Sequence, residues 1–132
     1  MRYLGLLVAA LLLLGAPTAN AQTSPRKYLS AATTNSTLVR SAKGSLGQVV
    51  VFNSTATIYY LKLYDKATAP TCGTDVPKWT VMVPANGQFS MDVGSLMFYT
   101  GIGFCLTSGF ADNDTGAAAT GVIINLGASG SP

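Results

Sequence analysis

Tyr59-Tyr60-Leu61-Lys62-Leu63-Tyr64-Asp65 is the stretch on which the fold turns. Tyr59, Leu61 and Leu63 alternate with Tyr60, Lys62 and Tyr64, a period of two that an extended strand resolves into two faces. The first set is the expected core and the second the expected outer face. The pattern recurs on both sides. Upstream, Val49-Val50-Val51-Phe52 is an unbroken apolar run, as in a strand covered on both faces. Downstream, Trp79, Val81 and Val83 alternate with Thr80 and Met82, and Phe89, Met91 and Val93 with Ser90 and Asp92. Pro84-Ala85-Asn86-Gly87 separates those two runs, and Asn-Gly in that position predicts a hairpin.

Seven strands are expected in all, over 36–41, 48–53, 58–65, 78–83, 88–93, 101–107 and 121–126. No window of eleven or more residues carries a helical period with caps. The chain is therefore expected to be all-β, a single β-sandwich or jelly-roll-like domain of about seven antiparallel strands spanning 36–127. Residues 22–35, polar and Ser/Thr-rich with Pro25 and Arg26-Lys27, read as an extended N-terminal arm, and 128–132 as a flexible tail. The connections 66–77 and 108–120 are too long for simple turns, and loops of that length tend to be functional or disordered.

The 132 residues include eight Lys or Arg against five Asp, with no Glu and no His. Charge this sparse and scattered argues against nucleic acid, which calls for a clustered basic stripe with stacking aromatics. Without His, Ser-His-Asp and Cys-His catalysis and His metal sites are excluded. At the start, Arg2, the apolar run 4–14 and Ala16-Pro17-Thr18-Ala19-Asn20-Ala21 have the three parts of a signal peptide. Cleavage after Ala21 would leave 111 residues carrying a net charge of +2. The eleven apolar residues fall short of a bilayer span, so an exported chain with no membrane segment in its mature form is expected.

Cys72 and Cys105 match neither a CxxC redox pair nor a zinc framework. In an exported chain they are expected to form a disulfide. That bridge would pin the first long loop to the strand leading into the second, and so gather both loops at one end of the sandwich into a single contact surface. Asp112-Asn113-Asp114-Thr115-Gly116 offers oxygen ligands at alternate positions, but Ile123 stands where an EF-hand needs its bidentate Glu. A solvated turn is the better reading. Gly101-Ile102-Gly103-Phe104 lacks the third glycine of a phosphate-binding turn and reads as a strand. The sequons at Asn35, Asn53 and Asn113 are what a Ser/Thr/Asn-rich composition produces. A paired-carboxylate hydrolase would need two of the loop residues Asp75, Asp112 and Asp114 in one cleft. No spacing selects such a pair, and no cofactor or metal site is expected. Tyr60, Tyr64 and Trp79, if exposed, would offer a sugar-stacking platform.

The segments Tyr60-Leu61-Lys62-Leu63-Tyr64-Asp65-Lys66-Ala67-Thr68-Ala69-Pro70-Thr71, Gly73-Thr74-Asp75-Val76-Pro77, Val83-Pro84-Ala85-Asn86-Gly87 and Thr100-Gly101-Ile102-Gly103 form a longer pattern. Together with Asn53, Asp112, Asp114-Thr115 and 122–126, it resembles a group of small structural proteins of tailed-phage virions, over roughly 49–126. The resemblance implies a β-sandwich surface component of a virus particle, such as a head-decoration or fibre protein, that works by self-association. No catalytic residues come with it. A signal peptide and cysteines at 72 and 105 depart from that group and suggest an exported, prophage-derived or bacterial relative.

The function expected on these grounds is a non-enzymatic assembly module. It would contact further copies of itself, as a homo-oligomer with a trimer among the options, and other virion or cell-surface proteins. Its contact surface would comprise Tyr60, Lys62, Tyr64, Asp75, Asp112 and Asp114, or a free strand edge. The alternative is a secreted β-sandwich module that binds a glycan or a host surface.

Overall fold

The computed structural model describes residues 23–130; the expected leader at 1–21 and the end of the tail at 131–132 lie outside them. Eight strands form: β1 (Ser24–Leu29), β2 (Thr37–Arg40), β3 (Gly44–Asn53), β4 (Tyr59–Asp65), β5 (Trp79–Val83), β6 (Gly87–Phe98), β7 (Ile102–Thr107) and β8 (Val122–Gly130). They make two antiparallel four-stranded sheets, one in the order β1-β8-β3-β6 and the other β2-β7-β4-β5. There is no helix among the described residues, and the domain is the expected β-sandwich.

The inward faces follow the period of two. Val49 and Val51 of β3 and Ile124 and Leu126 of β8 supply the core from the first sheet. Leu61 and Leu63 of β4 and Phe104 and Leu106 of β7 supply it from the second. Burial of each such side chain contributes about 1.5–3 kcal/mol. Tyr28 reaches across from β1 to meet the Phe104 ring edge-on at 5.1 Å.

Three expectations need correction. The arm 22–35 contains β1, whose Arg26, Lys27 and Tyr28 lie opposite Leu126, Asn125 and Ile124 of β8. As an edge strand it half-buries only Tyr28, so little apolar alternation marks it. Residues 128–130 of the expected tail likewise belong to β8, which continues through Ala128 and Ser129, both buried and too small to signal a strand.

The third correction concerns the Asn-Gly turn. β5 and β6 do not pair; the turn carries the chain from one sheet to the other. Asn86 adopts the left-handed conformation that Asn-Gly favours, at φ 47°, but the buried side chain of Asn53 decides where the turn is held. Its Nδ2 donates to the carbonyls of Thr57 (2.8 Å) and Pro84 (3.0 Å), while its Oδ1 accepts from the Thr55 N–H and hydroxyl. Asn86 N–H in turn donates to Thr55 O at 2.8 Å. The turn is thus fastened to the β3–β4 connection, which also crosses between the sheets.

Candidate functional site

Tyr60, Lys62 and Tyr64 project from the outer side of β4, opposite Thr107, Cys105 and Gly103 of β7. Their direction is as the alternation predicts, but their exposure is not. Lys62 is 0% and Tyr64 1% exposed, and only Tyr60 remains half-open. The cover comes from the two long loops, which form a partial third layer over this sheet.

Cys105 stands outward on β7 beside Lys62, and its disulfide to Cys72 fixes the first loop across the strand, with the Cα atoms 6.0 Å apart. Pro70 rests on Gly103, where a Cβ would come within 2.8 Å of the proline ring. Gly73, at φ 82°, packs against Thr115 so closely that any side chain would overlap it. The two loops therefore do meet, as expected from the cysteines, but over the face of the sheet.

Charges hold this layer in place. The Lys62 ammonium donates to the Ala111 carbonyl in the second loop. Burial lowers the Lys62 pKa, and the charges of Asp114 and Asp112 oppose that shift. The Tyr64 hydroxyl is buried with no hydrogen-bond partner. Burial pushes its pKa up to about 12, with the charges of Asp112 and Asp75 adding to the effect.

The loop carboxylates are similarly engaged. Asp75 accepts from Lys66 Nζ and from the Thr71 N–H. That Lys66 bond, followed by the Thr71 bond, lowers its pKa against a smaller effect of burial. Asp114 Oδ2 accepts from Gly109 N–H at 2.8 Å and Gly116 N–H at 3.2 Å, closing its own loop. Asp112 is exposed. The six predicted surface residues thus belong to one region, but Lys62 and Tyr60 contact the second loop from the sheet, Asp75 and Asp114 brace their own loops, and Tyr64 is buried.

The aromatic platform does not form. Tyr64 is buried, and Trp79 lies on the inward side of β5, packed against the core, while Tyr60 faces outward. Tyr60 instead meets Phe110 edge-on at 6.2 Å. Among the described residues, no group of three His, Cys, Asp or Glu side chains is placed to hold a metal ion.

Two features were not singled out from the sequence. Asp65 accepts from the backbone N–H groups of Tyr99 (2.9 Å) and Thr100 (2.8 Å) and from the Thr100 hydroxyl (2.9 Å), securing the β6–β7 crossing. Burial raises its pKa, but those donors and Gly101 N–H outweigh burial and hold the carboxyl well below the usual carboxylate range. The second feature is β6, which runs five residues beyond the expected 88–93 and lies at the edge of its sheet. Its inward-facing Met91 is 39% exposed, and with Lys78, Trp79, Val93 and Leu96 it lines a mainly apolar cleft of about 330 Å³. β5, the edge strand of the other sheet on this side, has five residues against the twelve of β6 and leaves the cleft uncovered. Comparison with family models, curated proteins and solved structures returned no match for this chain.

Proposed function

We propose that this chain is a non-enzymatic structural module that is exported and assembles with copies of itself, of the kind that decorates a virus particle or forms part of a fibre. The observation that carries the reading is the β6 edge, twelve residues long, unpaired on one side among the described residues and bordered by the apolar cleft. A long strand edge of this kind is a template for pairing with another chain. The sequence likeness over 49–126 supports the virion-surface assignment. The Cys72–Cys105 disulfide is compatible with an oxidising compartment. Other virion or cell-surface proteins are the further partners.

Native mass spectrometry of the unreduced secreted product tests the reading. The expected species starts at Gln22, is lighter than its reduced form by two hydrogen atoms per chain, and has a mass that is a multiple of the single chain. A monomer that begins at Met1 with free thiols would contradict it.

A further inference from the structure

The four edge strands differ in how they are protected. β1 carries Pro25, Arg26 and Lys27, β2 has four residues and includes Arg40, and β5 has five residues and follows Lys78. Charged side chains, proline and short length all discourage pairing at an edge. β6 has twelve residues, no Lys, Arg or Pro, and a single charge at Asp92.

The segment from Gly87 to Val93 is symmetric in polarity about Ser90. Phe89 and Met91 flank it on the inward side, and Gln88 and Asp92 lie beyond them on the outward side. The regular run ends at Gly94, at φ 61°, whose N–H is accepted by Asp92 Oδ1 at 2.9 Å. Gly94 lies within the β3–β6 register shift, between the paired Asp92 and Leu96.

We propose that the self-association surface is this segment, and that its occupant is the same segment of a second copy, paired antiparallel about a two-fold axis at Ser90. The proposal rests on the assembly reading above and specifies its contact. In this register Ser90 faces Ser90, Phe89 faces the second copy's Met91, and Gln88 faces its Asp92. Directly opposed residues in an antiparallel pair share a face of the sheet. The apolar side chains of both copies therefore fall on the inward side, where Phe89 of each copy meets Met91 at the near end of the other's cleft. The aromatic ring of Phe89 against the thioether of Met91 is a favourable pair. An axis at Asp92 would set two carboxylates against each other, and like charges directly opposed are destabilising. A two-fold contact of this type is closed and self-complementary, so it makes a dimer.

Two variants of the full oxidised chain test this. Ser90→Cys lies on the outward face, and mild oxidation is expected to yield a covalent dimer through that residue. Gln88→Cys, which would face Asp92, is expected to remain uncrosslinked. Met91→Lys places a charge on the half-open inward position and is expected to raise the concentration needed for dimerisation by at least about tenfold, a loss of roughly 1.4 kcal/mol. Circular dichroism checks that each variant retains its β signature. An oligomer that is trimeric, or that forms unchanged in Met91→Lys with no crosslink at Ser90→Cys, would overturn the β6 contact and leave the assembly reading intact. A wild-type chain that stays monomeric at every concentration would overturn both.

Discussion

Lys62 shows how a correct strand pattern leads to a wrong surface. Alternation along 59–65 fixes the side to which each residue points, and the paired register agrees with it. What covers that side is set in part by residues about 50 positions later in the chain, around Ala111 and Asp114, and no local period reports it. Tyr64 carries the consequence furthest. Its hydroxyl is buried without a partner, so Tyr64→Phe removes a desolvated polar group and is expected to stabilise the domain by up to about 1 kcal/mol in denaturant titrations. The phenol also gives a pH signature. Its folded pKa is raised from 10.0 to about 12, so its contribution is fully present below pH 10 and is lost as pH rises toward 12. Lys62 acts in the opposite sense, since its lowered pKa adds stability as pH rises toward its ordinary value. Comparing the alkaline limbs of wild type and Tyr64→Phe isolates the phenol, and the variant is expected to lose less stability between those limits. Asp65 governs the acid side. Its depressed pKa means that its stabilisation is present above the ordinary carboxylate range and lost as pH falls through the folded value. Asp65→Ala is expected to cost about 1–2 kcal/mol at neutral pH, and the difference from wild type should shrink at pH 3.

At the scale of elements, the inner strands were legible because their inward residues are apolar, although β3 is not covered on both faces as its unbroken apolar run suggested: Gln48 is exposed and Phe52 is 43% exposed on its outer face. The edge strands were not legible. β1 half-buries a single aromatic, and the last third of β8 is built from Ala, Ser and Gly. The Asn-Gly signal correctly marked a turn, with Asn86 at positive φ. Its use as a crossing between sheets depends on Asn53, 33 residues earlier, which a local motif cannot encode. The disulfide is the long-range link that the sequence did disclose. It closes a separation of 33 residues, and on the chain-entropy model this contributes roughly 3–4 kcal/mol. Replacing both Cys72 and Cys105 by Ser is expected to lower stability by about that amount. It should also release the first loop from β7, which hydrogen exchange would register as faster exchange at 103–107 and in the loops.

For the whole molecule, the sandwich followed from patterning, while the strand order did not, because nearly every connection changes sheets. That order determines the surface. It places β6 at an edge, leaves the apolar cleft open beside it, and puts the expected tyrosine face under two loops. The candidate contact consequently moves from β4 to β6, within the free-edge option that the sequence had left open. Self-association is the central claim, and sedimentation equilibrium of the unreduced chain from Gln22 onward, from low micromolar to near-millimolar concentration, tests it most directly. The account predicts a reversible rise in mass from one chain to a defined homo-oligomer. A single-chain mass across the whole range would contradict it.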